Sequence, residues 1–422
     1  MRMEELSSGL FSSVGTFEGS GKWQAAIKRV HALYQRGSDV RSEFERDYTR
    51  ILHCEAFRRL KHKTQVFFSP QNDHVCTRME HSLHVVSVSS MIAKRLGLNT
   101  DLTRAIALGH DIGHAPFGHP GEDILNSLLK PRGEGKDGKR FWHERNSLFF
   151  ADYIETLKAP DGTARNLGLT YAVRDGLICH CGEIDQQGMT PRDEECDLYS
   201  IKTPGETSPF TWEGCVVKAS DKIAFLGRDI EDASIYGIMD LTAAKELERI
   251  ASEHLGGQAG KLRSGRAVNT TVLINDMITD LCRNSSPQRG ICFSEPYFAF
   301  IAALKAFSAK HIYDNPRLLE FRRYAECVLG GIYRLLTGIQ PQAVRRQVSR
   351  ALAFAPELRR TFTDWLVKYA GYDEHRRQAA GLQTAQVFNL EDEESFEKCV
   401  VEYISGMSDQ YAMKVYDQIV SF

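Results

Sequence analysis

The residues best suited to chemistry lie in one stretch, HDIGHAPFGHPGE at positions 110–122. It holds three histidines, two acids, three glycines and two prolines directly behind an apolar run, Ala105 to Leu108. The adjacent pair His110-Asp111 offers a divalent cation one nitrogen and one oxygen from neighbouring positions. The Gly/Pro spacing forbids a continuing helix and sets His119 and Glu122 on a shaped loop. The competing reading is a polar loop that closes a helix, but solvated loops rarely gather imidazoles so densely.

A metal needs more ligands than one pair, and two predicted helices can supply them. In a helix over 78–96, Val85, Val88 and Ile92 follow His81 at i+4, i+7 and i+11, so His81 lies on the buried stripe with Arg78 one turn before it. A second helix, over 216–236, places Asp221, Phe225, Asp229 and Asp232 at i, i+4, i+8 and i+11. A carboxylate column on an apolar helix must be compensated by a metal, by cations or by hydrogen bonds. For Asp232, salt bridges to Lys222 and Arg228 compete equally with a role in the site. His81, His110, Asp111 and Asp221 together form a candidate mixed N/O site suited to Mg, Mn, Fe, Co, Ni or Zn with positions left for water. Phosphate chemistry also needs cations on the non-reacting oxygens and an acid for the leaving oxygen. Arg59, Arg78 and Lys222 are candidate clamps. His119 and His143 are the candidate acids, with Glu122 able to orient one of them.

The elements that position these residues read as helices. Residues 1–20 have little periodicity and are expected to form a loose arm, and a short helix follows over 23–34. A helix over 101–111 delivers His110 and Asp111, and Pro120 starts another that ends near residue 129, with His119 at its entrance. Residues 131–140 read as an exposed loop, 171–180 as a helix, and 182–210 as either an ordered functional loop or a mobile lid. The last third carries helical spacing over 298–311, 318–336, 343–354, 362–369 and from 391 onward, with a break at 370–390. No alternating strand series appears.

Bulk composition is that of an ordinary globular chain: 42% hydrophobic, 26% charged, net charge −2. This argues against bulk nucleic-acid or membrane binding, though not against a local basic patch. No apolar run reaches membrane-spanning length and the start lacks a secretory signal. The ten cysteines include no C-x-x-C pair, so a cysteine zinc site is disfavoured and reduced thiols in a cytoplasm are expected.

With these motifs in view, the chain resembles the HD-domain phosphohydrolases, and more narrowly the dNTP triphosphohydrolases of the deoxyguanosinetriphosphate triphosphohydrolase-like family. The narrower likeness rests on FRRLKHKTQVF (57–67), TRMEHSLHV (77–85), HDIGHAPFGHPGE (110–122) and ISGMSDQYA (404–412). FWHERNSL (141–148) also resembles the W-x-H-E-x-x-S stretch of the animal SAM-and-HD-domain dNTP hydrolase. The resemblance implies an all-α fold: an N-terminal arm and short helix (1–40), an HD catalytic core (41–240) and C-terminal helices (241–422) packed on it as one compact unit. It implies metal ligation by His81, His110, Asp111 and Asp221, a catalytic His119 partnered by Glu122, and a second catalytic-site histidine, His143. Gln65 would lie near the deoxyribose, while Arg78, His114, Lys222 and Asp229 would contact sugar or phosphates. Relatives often carry tyrosine where this chain has Phe225, which keeps the packing against the sugar and loses a hydroxyl.

The implied reaction is hydrolysis of a deoxynucleoside triphosphate (dGTP or several dNTPs) at the α-phosphorus, releasing deoxynucleoside and tripolyphosphate. Attack would come from a metal-held hydroxide or involve His119 more directly. The resemblance further implies a cytoplasmic homo-oligomer, tetramer or hexamer, with control by an allosteric nucleotide or single-stranded DNA in some members. Two other readings stay open. One is an HD phosphohydrolase of nucleoside monophosphates or signalling nucleotides; the other is a nucleotide-sensing protein without turnover. The triphosphate clamps weigh against the first, and the complete set of metal and catalytic candidates against the second.

Overall fold

A computed structural model of the chain describes residues 9–33, 39–68, 74–129, 141–181, 187–256, 263–264 and 267–421. The fold is all-α. Besides helices, the described residues form only two short antiparallel strand pairs, Thr156–Lys158 with Ala164–Asn166 and Arg263–Ser264 with Ala267–Val268. No described helix is long and apolar enough to cross a membrane.

Seven helices build the part that carries the chemistry: α1 (Glu43–His53), α2 (Arg78–Leu96), α3 (Thr100–Gly109), α4 (Gly118–Leu128), α5 (His143–Phe149), α6 (Tyr171–Cys179) and α7 (Trp212–Ile235). Local chemistry sets their ends. Thr77 and Glu80 form a reciprocal capping box at the start of α2, and Gly97 closes it in the left-handed region at φ 80°. Asn99 accepts from the Asp101 and Leu102 amides to start α3. Leu102, Ala105, Ile106 and Leu108 of α3 are fully buried, so this helix is central, packed against α1, α2, α6 and α7.

The apolar residues divide into two cores, and α2 and α7 form the wall between them. Val85 of α2 and Val217 and Ala224 of α7 join the core built with α1, α3, α5, α6 and residues 316–420. Val88 and Ile92 of α2, with Val216, Ile223 and Leu226 of α7, join the other, completed by Leu241–Leu255, Thr270–Asn284 and Glu295–Ser308. Each fully buried leucine, isoleucine or valine contributes roughly 1.5–3 kcal/mol of transfer free energy, so both helices are fixed from two sides. They are the helices that carry His81 and Asp221.

Two expectations change, and of the two readings of 182–210 one is found. Residues 9–20 are not a loose arm. Phe11 is fully buried and packs edge-on against Trp212 at 4.9 Å, and the Thr16 amide donates to Glu213 Oε1 at 2.9 Å. One buried phenylalanine in a Ser/Gly-rich stretch, with Phe17 exposed, gives no periodicity to read. The helix expected over 23–34 is only Trp23–Ala26. The described part of the 182–210 segment, 187–210, is ordered: Arg192 pairs with buried Asp175, and the Phe210 amide donates to Asp175 Oδ1 at 2.6 Å. The loop expected at 131–140 lies outside the described residues.

Candidate active site

His110 caps the C-terminal end of α3. Its Nδ1 lies 2.8 Å from the Ala107 carbonyl, which can only accept, so the proton sits on Nδ1 and Nε2 presents a lone pair. That Nε2 is buried with no hydrogen-bond partner among the described residues. His81 Nε2 lies 2.9 Å from Asp221 Oδ1. His110 Nε2 lies 3.5 Å from Asp111 Oδ2 and 3.9 Å from Asp221 Oδ1. Ligand atoms of His81, His110 and Asp221 all fall within 4.8 Å of one another. An orphaned imidazole nitrogen beside two carboxylates fits a divalent cation. Burial alone would raise both carboxyls. His110 and Arg78 overcome it to hold Asp111 well below the ordinary range, and the hydrogen bond and charge of His81 bring Asp221 down to about 2. Both are therefore anions, as ligation requires.

The loop after Asp111 is folded tightly against α5. A Cβ at Gly113 would stand 2.0 Å from the Ser147 nitrogen. The Gly113 amide donates to Ser147 Oγ at 2.9 Å, and that hydroxyl donates to the His110 carbonyl at 2.7 Å. Phe117 takes φ 65°, the only positive φ of a non-glycine among the described residues, and Gly118 follows at 66°. This turn starts α4 at Gly118, two residues before the expected start, so His119 sits inside the first turn rather than before it.

Here a second group forms. His114, His119, Glu122 and His143 each offer an atom within 4.8 Å of the others. The rings of His114 and His143 stack at 4.1 Å, and His119 stands edge-on to both at 5.0 and 5.6 Å. His143 Nδ1 lies 2.9 Å from Glu122 Oε2, and its Nε2 lies 3.9 Å from Asp111 Oδ1. His143 thus links the two groups. Burial would lower it, but Glu144 and Glu122 raise it to about 10, so it is a cation. Burial, reinforced by Arg78 and His143, holds His114 well below the usual imidazole range and neutral.

Arg78 is 1% exposed and donates from Nη1 to Asp111 Oδ2 at 2.8 Å. Its Nε and Nη2, both ring nitrogens of His114 and Oε1 of Gln65 are buried without a hydrogen-bond partner among the described residues. So many orphaned polar atoms around one site are costly unless a polar ligand completes them. Lys222 follows Asp221 on α7 and is buried, Phe225 packs at the edge of the second core one turn on, and Asp229 accepts from the Tyr313 hydroxyl at 2.6 Å. Burial, partly opposed by Tyr313, raises Asp229 to about 7. Arg59 stands apart. It pairs with Glu155 at 2.7 Å and lines a separate cavity of about 430 Å³ with Trp365, Tyr369 and Tyr411.

The ISGMSDQYA segment fastens this loop from the C-terminal side. Buried Asp409 accepts from the Phe117 amide and the Thr64 amide, each at 2.8 Å. Lys63 Nζ bridges the His114 and Ser405 carbonyls. Asp409 therefore pins both the strained turn before His119 and the residue before Gln65. Replacing it with alanine strands two buried amides, at about 1–3 kcal/mol each. Asp409→Ala should lower stability by roughly 3–5 kcal/mol in urea unfolding. Asp409→Asn, which keeps one acceptor, should lose less. Equal stability of Asp409→Ala and the parent would contradict this.

Three neighbours of the site escape a reading by spacing. Glu144 is adjacent to His143 in the quoted FWHERNSL, where the neighbouring position was the available signal. His180 ends α6 and packs edge-on to His110 at 5.0 Å. Tyr313 has no signal in the pattern around it.

The HD domain family matches residues 78–226, which span α2 to α7. Fold and site thus define an HD-domain phosphohydrolase. Over nearly its whole length the chain is similar to proteins named deoxyguanosinetriphosphate triphosphohydrolase-like. It is 31% identical to that of Caldanaerobacter subterraneus subsp. tengcongensis over 391 residues, covering 93% of this chain and 88% of the relative. It is 30% identical to that of Ralstonia pickettii over 395 residues, covering 93% and 91%, and 35% identical to that of Desulfatibacillum aliphaticivorans over 282 residues, covering 66% and 68%. The chain belongs to the deoxyguanosinetriphosphate triphosphohydrolase-like family.

Proposed function

We propose that the protein hydrolyses deoxynucleoside triphosphates at the α-phosphorus, giving deoxynucleoside and intact tripolyphosphate. The observation that carries this reading is the set of orphaned donors, Arg78 Nε and Nη2 and the His114 ring, beside the His81–His110–Asp221 cluster. A single phosphate would not use them all together with Lys222; a triphosphate chain would. The relatives' printed name supports the same substrate class.

His81, His110, Asp111 and Asp221 would hold a divalent cation, which when bound supplies Lewis-acid chemistry at the phosphorus. Arg78, His114 and Lys222 hold the phosphate oxygens and stabilise charge that builds on them. Water attacks the α-phosphorus and releases a proton to solvent, the bond to the 5′ oxygen breaks, and His119 delivers a proton to that oxygen and is reprotonated from solvent. His143, held as a cation by Glu144 and Glu122, keeps positive charge beside His119, and Glu122 orients the pair. Gln65, Phe225 and Asp229 would face the deoxyribose, while Arg59, paired with Glu155 in the separate cavity, is given no phosphate contact. The same reading makes the protein a cytoplasmic homo-oligomer, tetrameric or hexameric, open to control by a nucleotide or single-stranded DNA.

The Tyr313 hydroxyl fixes Asp229. Tyr313→Phe should therefore raise KM by roughly fivefold, the scale of one ordinary hydrogen bond lost at the substrate through a misplaced Asp229, with kcat within about twofold. A fall in kcat at unchanged KM would contradict the placement. Incubation of the purified protein with each dNTP and Mn²⁺, followed by chromatography of the nucleoside, tests the substrate class. Release of deoxynucleoside supports it, and turnover of monophosphates alone would overturn it.

A further inference from the structure

His180 is arranged as His110 is. Each follows the last residue of a helix, α6 and α3, and each places Nδ1 2.8 Å from the carbonyl three residues back, Leu177 and Ala107. A carbonyl only accepts, so in both rings the proton is on Nδ1 and Nε2 is a lone pair. A metal-ligating histidine is commonly set in this way, its other N–H given to a carbonyl. The two helices meet at glycines. A Cβ at Gly176 would stand 2.5 Å from Ile106 Cγ2, and one at Gly109 3.0 Å from Leu177 Cδ2. That close approach brings the two rings to 5.0 Å at 86°. His180 is 1% exposed, and among the described residues its hydrogen bond is the one at Nδ1. Ligand atoms of His110, Asp111 and His180 lie within 4.8 Å of one another.

We propose that His180 is a fifth protein ligand of the cation, giving its Nε2 beside His110 and Asp111. This rests on the metal-site reading above and adds a third imidazole to it. Three nitrogens and two carboxylates suit Mn, Fe, Co, Ni or Zn better than Mg, which prefers oxygen and water.

Cobalt(II) titration of the metal-free full-length chain, followed by visible absorption, tests this without reference to turnover. The parent should bind one ion per chain. His110→Ala should lose binding. His180→Gln should keep the stoichiometry, bind at least about 100-fold more weakly, since even the hydrogen-bond partners of a ligand are worth about 10- to 100-fold, and shift the d–d bands. Parent-like affinity and bands in His180→Gln would overturn the assignment of His180 while leaving the four-residue site intact. Parent-like binding in His110→Ala would overturn the metal-site reading itself. Should His180→Gln fail to fold, X-ray absorption of the cobalt-loaded parent decides: three imidazoles are expected, and two would overturn the proposal.

Discussion

His119→Ala is expected to lower kcat by about 10²- to 10⁴-fold, the usual worth of a positioned proton donor, while metal content and dNTP binding stay near those of the parent. The reason is geometric. His119 stands on the first turn of α4, in a group with His114, Glu122 and His143 whose ligand atoms fall within 4.8 Å, and the proposed cation ligands are His81, His110, Asp111 and Asp221. The backbone that carries His119 is held independently of its side chain, by Asp409 on the Phe117 amide and by the tight seat of Gly121, whose Cβ would stand 1.8 Å from the Pro116 carbonyl oxygen. Removing the imidazole therefore removes proton transfer without moving the loop. Metal analysis and calorimetric dNTP binding, set beside single-turnover rates, read the separation. Near-parent turnover would sink the role given to His119.

Asp111→Asn should cost still more, because two functions meet on one carboxylate. Asp111 lies 3.5 Å from His110 Nε2 and accepts from Arg78 Nη1 at 2.8 Å. An amide is a poor cation ligand and cannot neutralise a buried guanidinium. Alanine would leave that guanidinium uncompensated, at about 3–5 kcal/mol, so the isosteric amide is the cleaner variant. The expected result is loss of stoichiometric metal and turnover at background. Chelation of the parent should reproduce the loss, with recovery when Mn²⁺ is returned. Full activity of chelated parent protein would contradict a metal-dependent site.

Much of this site is legible in the chain because its residues sit on helices with clear stripes. His81 shares a face with Val85 and Ile92, and all three are buried. The carboxylate column of α7 resolves into three different compensations: Asp221 meets His81 at 2.9 Å, Asp229 meets Tyr313 at 2.6 Å, and Asp232 lies 3.8 Å from Arg228 Nε and accepts from the Cys76 amide at 3.2 Å. For Asp232 the Arg228 half of the salt-bridge alternative is present, as a long contact, and the backbone amide of Cys76 supplies the hydrogen bond. His180 and Tyr313 were illegible for a shared reason. Their meaning comes from which helices touch, and the glycine contacts that bring α3 against α6 have no local periodicity. The ISGMSDQYA segment marked the family without showing its work. Its structural part, Asp409 reaching Thr64 and Phe117, spans 345 and 292 positions, which spacing rules cannot cross.

The position of bond cleavage tests the central claim most directly. Hydrolysis of dGTP, and of each other dNTP, in ¹⁸O-enriched water with phosphorus NMR of the products reads it in one spectrum. The account predicts intact tripolyphosphate carrying a single ¹⁸O on a terminal phosphorus, beside unlabelled deoxynucleoside. Orthophosphate or pyrophosphate as the first product, or ¹⁸O in the deoxynucleoside, would contradict it.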